Sequence, residues 1–471
     1  MIVLGRHRPL THDAWSELAV RAVIEEIAAD AISHFDPEGF WPGHPSDDGA
    51  VDGNPSFYWG AAGVIWALDY LHRIGATRVA KDFRPMLPVL LERTVTAFES
   101  NSPTDYAKHG SLLFGDMGAA LLVMRLAPTS SFADLVHRRA EANIELPIRE
   151  LMWGMPGSMV AAIHMAEMTH EPRWRGLFEM QAARLFADLE DTPQGPLWTQ
   201  DLYGAKDHWL GPVHGFAGNV IPLLRGWDWL TPPQQAQVAE FVPKTLAANA
   251  WRSEIGTTWG ARSKREKQPT LCQHCHGAPG MVTTFANAPF ATPEFDSLLL
   301  DAGRFAWAAG PLTKGSNLCH GTGGNGYAFL KLYRRTNDPI WLDRARQFAM
   351  TAIVQYRGSQ LVVGRGRYSL LDRRRRPCNF PVGLHHSGAS FPHDRSVLTR
   401  TRLLPIFPEQ QPNSPSFEHA DDLPAARRDG RGSQHKKISS EWPGAEPGGF
   451  QRCRTTSPAR CPATCCFSAG T

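Results

Sequence analysis

Cys319-His320-Gly321-Thr322-Gly323-Gly324-Asn325-Gly326 sets a cysteine and a histidine directly before a cluster of glycines. An apolar, helix-like run follows at residues 327–333. Because glycine has no side chain, the adjacent Cys and His have room to turn toward one point. Related stretches occur at residues 275–280, where a second Cys-His pair precedes the glycines, and at 214–218, where a histidine stands alone.

The same spacing of glycines recurs along the chain. Gly-x-x-Gly followed by an apolar run occurs six times, with first glycines at Gly60, Gly115, Gly154, Gly215, Gly277 and Gly321. One copy would mark only a loop, but six copies at intervals with room for about two helices indicate a repeat. The sequence therefore predicts an all-α fold, an α/α toroid whose inner helices begin at the glycines and crowd at one end. Outer helices would shield the inner ones.

Other helices are indicated by apolar periodicity. The opening of the chain, from about Thr11 to Phe35, is predicted to be a helix. Amphipathic segments between the glycine stretches are predicted to form outer helices, at residues 83–98, 174–189, 233–248 and 341–356.

Composition limits the class of protein. The chain has 471 residues and a formal net charge of +3, which indicates no general attraction to nucleic acid or to a membrane surface. No apolar run approaches the ~20 residues that span a bilayer, and the N-terminus lacks the apolar segment of a secretory signal. We therefore expect a cytoplasmic protein with no membrane span.

The chain is expected to divide near residue 370. Residues 1–370 carry the glycine repeats, whereas residues 371–471 are rich in Pro, Arg, Ser and Gly and show no helical period. Such a composition predicts an irregular, disordered tail. Codons able to encode residues 371–380 can be read one base later as a further Gly-x-x-Gly stretch, so we hypothesise a frameshifted end in place of a seventh repeat.

Cysteine usage favours a metal site over disulfides. Only Cys272, Cys275 and Cys319 lie in the first 370 residues. Zn²⁺ prefers thiolate and imidazole ligands, and a catalytic site keeps three protein ligands and one open position. Cys275, Cys319 and His320 supply such a set from two neighbouring helix starts. Two alternatives stay open: Cys272 completes a four-ligand structural site, or these are ordinary buried cysteines.

Two further side chains are predicted to lie at the same end. His214 stands one residue before its glycine, as His320 does, and imidazole titrates near neutral pH, so His214 is a candidate acid or base. Glu150 stands four residues before its glycine and is a candidate carboxylate. A structural histidine and a solvated glutamate are the simpler alternatives. His274 and His276 are expected to surround the cysteines without binding the metal.

The three motifs together resemble the cyclase signatures of the lanthionine synthetase C-like family. They are residues 214–218, 274–280 and 319–321, and the resemblance covers about residues 56–369. It implies a toroid of seven inner and seven outer helices, of which six pairs are legible here. Three departures stand out: His274 replaces a tryptophan of the family, Glu150 stands where peptide cyclases have Asp, and the seventh pair is not legible.

The resemblance also implies the roles of the site residues. Cys275, Cys319 and His320 would be zinc ligands, with water or a substrate thiol as the fourth. His214 matches the catalytic histidine of the family. Glu150 matches an acidic residue that is Asp in peptide cyclases.

The activity implied is zinc-dependent addition of a thiol to a dehydroamino acid. The thiol would be a peptide cysteine, giving the lanthionine thioethers of lantibiotics, or a small thiol such as glutathione. No dehydratase domain is legible, so a separate dehydratase or a substrate already dehydrated is expected. A catalytically inactive, zinc-stabilised binding scaffold is the main alternative. A carbohydrate enzyme of α/α-barrel type would need a carboxylate pair, and Glu150 has no evident partner.

Overall fold

The computed structural model describes residues 2–45, 52–101, 109–202, 205–263 and 268–370. The predicted irregular tail and the hypothesis of a shifted reading frame both concern residues 371–471, which lie outside the described residues. Within the described ranges, no helix combines the length and the apolar character needed to cross a membrane.

Helices account for most of the described chain. In chain order they are α1 (Glu17–Ser33), α2 (Ala61–Arg73), α3 (Leu87–Asn101), α4 (Asp116–Leu126), α5 (Ser130–Ala142), α6 (Met155–Thr169), α7 (Pro172–Ala187), α8 (Phe216–Arg225), α9 (Pro232–Asn249), α10 (Ala278–Phe285), α11 (Pro293–Ala309), α12 (Thr322–Thr336) and α13 (Pro339–Val363). Two short antiparallel hairpins complete the set, β1 (Gln200–Leu202) with β2 (Ala205–Asp207) and β3 (Ala250–Ser253) with β4 (Gly256–Trp259).

The helices form two layers. The even-numbered helices α2 to α12 pack side by side in chain order and form the inner layer. The odd-numbered helices cover them, as α7 covers α6 and α13 covers α12, and α1 packs against α13. Helix α6 shows the character of an enclosed helix, because residues 155–163 are all buried. The chain thus has the predicted all-α architecture of an α/α toroid, with six helix pairs among the described residues.

The glycine spacing has a steric cause. The first glycine of each Gly-x-x-Gly is the residue that precedes its inner helix, and the second lies in the first turn. A Cβ on the second glycine would lie only 1.8–2.6 Å from the backbone carbonyl oxygen six residues earlier. The incoming chain therefore crosses directly over the first turn. The glycines concerned are Gly63, Gly118, Gly157, Gly218, Gly280 and Gly324.

These turns also pack against one another, as the expected crowding requires. A Cβ on Gly118 would lie 2.9 Å from the Phe57 side chain, and a Cβ on Gly324 would lie 3.3 Å from the His274 side chain. In both cases the neighbour belongs to the loop before the preceding inner helix. All the inner helices begin at the same end of this layer, so the loops that carry the sequence motifs converge there.

Backbone hydrogen bonds join these loops. The amide of Cys275 donates to the carbonyl of Cys319 at 3.4 Å, and the amide of Leu151 donates to the carbonyl of Val213 at 3.1 Å. The first bond joins the two cysteine-bearing loops, and the second brings the loop of Glu150 to the loop before α8.

Candidate metal centre

In several of these loops, a common turn presents the residue that precedes the first glycine. The residue four positions before the glycine accepts a hydrogen bond from the amide three residues later: Asn317 Oδ1 accepts from His320 at 2.9 Å, and Ser111 Oγ accepts from Phe114 at 3.1 Å. Glu150 does the same for Trp153. Satisfying this amide locally fixes the turn without using the side chain of the residue that is presented.

Cys275, Cys319 and His320 come together at this end of the fold. Their ligand atoms all lie within 4.8 Å of one another, and Cys319 Sγ is 3.8 Å from His320 Nε2. Both cysteines are buried, and His320 is half-buried. A tetrahedral zinc ion with Zn–S of about 2.3 Å and Zn–N of about 2.0 Å separates its ligand atoms by roughly 3.5–3.8 Å. The two thiols and the imidazole therefore fit zinc in donor type, and the distance of 3.8 Å between Cys319 Sγ and His320 Nε2 matches the spacing that zinc requires.

The two cysteine thiols shift each other's pKa in opposite directions. Burial opposes ionisation of Cys275, but the hydrogen bond from Cys319 and the nearby His320 hold the pKa of Cys275 well below its usual range. The hydrogen bond to Cys275, together with burial, raises the pKa of Cys319 well above its usual range. Metal binding requires deprotonated thiols, so a divalent cation would displace protons from these two sulfurs.

The neighbouring residues of the cysteine loop remain outside this group. Cys272 is buried, and burial alone raises the pKa of its thiol to about 12. Burial lowers the pKa of His274 to about 4 and lowers the pKa of His276 as well. Among the described residues, the group with ligand atoms close enough to hold a metal contains neither Cys272 nor these histidines.

His214 and Glu150 form a second pair at the same end. Glu150 Oε2 lies 2.9 Å from His214 Nδ1. The carboxylate is completely buried, whereas the imidazole side chain is 24% exposed. Since Nδ1 donates to the carboxylate, Nε2 is the ring nitrogen that this contact does not use. The loop that carries His214 lies against the cysteine loop, since a Cβ on Gly211 would lie 2.1 Å from the carbonyl oxygen of Cys275 and 3.2 Å from His276 Nδ1.

Two residues at the centre were not predicted from the sequence. The Tyr58 hydroxyl is a hydrogen-bond partner of the Cys319 thiol. Burial is the main cause that raises the pKa of Tyr58 well above its usual value, and the nearby thiol is the second. Gln273 donates from Nε2 to Cys275 Sγ at 3.0 Å. Tyr58 stands two residues before its glycine, the register of both cysteines, and this signal could have identified it.

Comparisons with known proteins agree with these motifs. Residues 51–370 match the family model described as "Lanthionine synthetase C-like protein". The chain is 42% identical over 161 residues to "Glutathione S-transferase LANCL1" of Danio rerio, which is 33% of this chain and 37% of that protein. It is 40% identical over 142 residues to "LanC-like protein GCL1" of Arabidopsis thaliana, which is 30% of this chain and 31% of that protein.

These matches differ in extent. The aligned segments span about a third of the length of either curated relative. Among solved structures, "Nisin cyclase" aligns with a TM-score of 0.47 and 14% identity, covering 72% of this chain and 89% of that one. The family model itself covers most of the described residues and all the motifs of the site. The chain belongs to the lanthionine synthetase C-like protein family.

Proposed function

We propose that the chain catalyses the zinc-dependent addition of a thiol to a dehydroamino acid, forming a thioether. The observation that carries this proposal is the group of Cys275, Cys319 and His320, whose ligand atoms lie within 4.8 Å of one another. Two cysteines and one histidine are the ligand types of a zinc site that keeps a fourth position open. A zinc ion there would lower the pKa of a thiol at that position and so supply a nucleophile near neutral pH.

The pairing of His214 with Glu150 supplies the proton that the reaction needs. When a thiolate adds to the β-carbon of a dehydroamino acid, negative charge develops as an enolate, and the α-carbon must be protonated. His214 donates Nδ1–H to Glu150, so its Nε2 is the atom available to deliver that proton. The hydrogen bond to the buried carboxylate holds the imidazole ring in place for that transfer. The proton that leaves the thiol is thus balanced by the proton added at carbon.

The substrates are a dehydroalanine- or dehydrobutyrine-containing peptide and a thiol. The thiol is either a cysteine of the same peptide or a small thiol such as glutathione. The name of the Danio rerio relative, a glutathione S-transferase, favours the small thiol. With either thiol, the peptide must be dehydrated beforehand, and a separate dehydratase would supply it in that form.

The proposal is tested with glutathione and a peptide that contains dehydroalanine, followed by mass spectrometry. We expect thioether formation by the zinc-loaded chain. Replacing His214 with Ala should lower kcat about 10²- to 10⁴-fold, the usual size of an acid–base contribution, with zinc content unchanged. His34, which lies at the end of α1, provides a matched His→Ala control.

The outcomes separate the two readings of the site. A zinc-loaded chain that accelerates no thiol addition would overturn the enzymatic proposal and leave a zinc-stabilised scaffold. A His214→Ala variant as active as the control would remove the proposed proton donor.

A further inference from the structure

The side chain of Gln273 reaches the sulfur of a proposed metal ligand. Its Nε2 lies 3.0 Å from Cys275 Sγ, and both residues are buried, so water does not compete for the contact. We propose that Gln273 is a positioning residue of the metal centre, which orients the Cys275 sulfur and draws negative charge from it. The inference rests on the proposed function, because it concerns the sulfur that would bind the ion.

Lys314 determines which way the amide of Gln273 points. Lys314 Nζ lies 3.5 Å from Gln273 Oε1. An ammonium group donates hydrogen bonds and accepts none, so the amide oxygen must face Lys314. The NH₂ group is then directed at Cys275. The opposite orientation would place two donors face to face and leave the sulfur beside a carbonyl oxygen.

Donor and sulfur are held by the same turn. The amide of Gln273 donates to the carbonyl of His276 at 3.0 Å, and the amide of His276 donates back to the carbonyl of Gln273 at 3.2 Å. The side chain of Asn325, on α12, donates to the carbonyl of Cys272 at 2.9 Å and anchors this turn. Lys314 belongs to the loop that carries Cys319, so the amide of Gln273 also connects the two cysteine-bearing loops.

The chemical consequence concerns the charge on sulfur. A hydrogen bond to a thiolate stabilises its negative charge, which leaves less electron density for donation to a bound ion. The ion then remains a stronger acid toward a thiol at its fourth position. Residues that hydrogen-bond metal ligands typically contribute about 10- to 100-fold to metal affinity.

The test uses Co²⁺ as a spectroscopic substitute for zinc. Thiolate-bound Co²⁺ shows a charge-transfer band whose energy depends on the sulfur. Gln273→Met keeps the length of the side chain and removes the donor. We expect the band to move to lower energy, because the sulfur regains negative charge. We expect the affinity for Co²⁺ to fall about 10-fold, because the sulfur loses the group that orients it. Gln181→Met is the matched control, because Gln181 is equally buried and donates to the carbonyl of Ala140 in the outer layer.

A second variant covers the case in which Gln273→Met does not fold. Lys314 is half-buried, and Lys314→Met leaves the amide free to turn, so we expect a smaller shift of the band in the same direction. If the band is unchanged in the Gln273 variant, the inference is overturned while the proposed function stands. If only the Lys314 variant folds, an unchanged band in that variant has the same meaning. A wild-type chain that shows no thiolate-to-cobalt band overturns the proposed function and this inference together.

Discussion

Glu150 offers two carboxylate oxygens, and both are occupied. One lies 2.9 Å from Nδ1 of His214, and the other accepts from the backbone amide of Trp153. The carboxylate is wholly buried, so no water replaces either contact. A single side chain therefore both shapes the turn before α6 and fixes the proton on His214.

Glu150→Gln tests this double role. Glutamine has one acceptor oxygen, so one of the two N–H groups would face an NH₂ group. An unsatisfied buried donor costs about 1–3 kcal/mol, which corresponds to roughly 5- to 150-fold in a rate. We expect kcat for thiol addition to fall within that range. Glu141→Gln is the control, since Glu141 approaches His137 at 4.0 Å on the exposed side of α5. Equal rates for the two variants would contradict the role of Glu150.

The sequence allowed prediction of those site residues that stand at the same distance from a first glycine in more than one motif. His214, Cys275, Cys319 and His320 stand one or two places before a first glycine, and the structure brings the last three together. Tyr58 and Gln273 were missed for different reasons. Tyr58 shares the register of the cysteines but not their chemistry, and the contact of Gln273 depends on an amide orientation that no pattern encodes.

At the scale of helices and turns, the second glycine of each motif bears most of the steric constraint. A Cβ on Gly324 would lie 1.8 Å from the carbonyl oxygen of Leu318. That carbonyl belongs to the loop that carries Cys319. Any side chain at position 324 must therefore displace the loop or the helix.

We expect Gly324→Ala to lower the free energy of unfolding by at least the ~1–3 kcal/mol typical of overpacking, and to weaken zinc binding. Gly176→Ala is the control, because Gly176 lies in α7 with no heavy atom within 4 Å of the added Cβ. Replacing a glycine in a helix interior gains up to about 1 kcal/mol, so this variant should be as stable as the wild type or more so. Urea unfolding compares them, and a stable Gly324→Ala variant would refute the steric account.

The helix boundaries show where apolar periodicity alone was sufficient to predict a helix. The predicted segments 174–189 and 233–248 agree closely with α7 and α9. The predicted first helix begins too early, because Ser16 accepts from the amide of Ala19 and starts α1 at Glu17. Helices α5 and α11 and both hairpins were not predicted. The strands have only three or four residues each, too few for an alternating pattern to be recognised.

At the scale of the whole chain, residue 370 returns to the first inner helix. The amide of Leu370 donates to the carbonyl of Tyr58 at 3.0 Å, and a Cβ on Gly63 would lie 3.2 Å from the Leu370 side chain. Phe57 approaches Gly118 in the same manner. Leu370 therefore lies where the loop of a seventh pair is expected, and residues 371–471 lie outside the described part of the chain.

Four partly buried histidines predict how the free energy of unfolding depends on pH. Burial lowers the pKa of His7, His164, His274 and His276 below the ordinary value of 6.5. Below pH 6.5 the unfolded chain therefore binds more protons than the folded chain. This contribution to stability is complete above that pH and is lost as the pH falls toward the lower, folded-state pKa values.

His164→Gln isolates one of these groups. His164 is enclosed by Glu167 and Arg225 at the C-terminal ends of α6 and α8, away from the cysteines. We expect the free energy of unfolding to fall less between pH 7.5 and 5 in the variant than in the wild type. Any metal contribution is common to both proteins and cancels in the comparison. A variant with the steeper loss would show that protonated His164 stabilises the fold.

The zinc content of the purified chain, compared with that of Cys319→Ala and Cys272→Ala, shows whether Cys275, Cys319 and His320 hold an ion. We expect one zinc ion per chain, lost from Cys319→Ala and retained by Cys272→Ala, because Cys319 belongs to the three-residue group and Cys272 does not. A folded wild-type chain without zinc, or a Cys319→Ala variant that keeps its ion, would contradict the account. Loss of zinc from Cys272→Ala would instead indicate the four-ligand structural site.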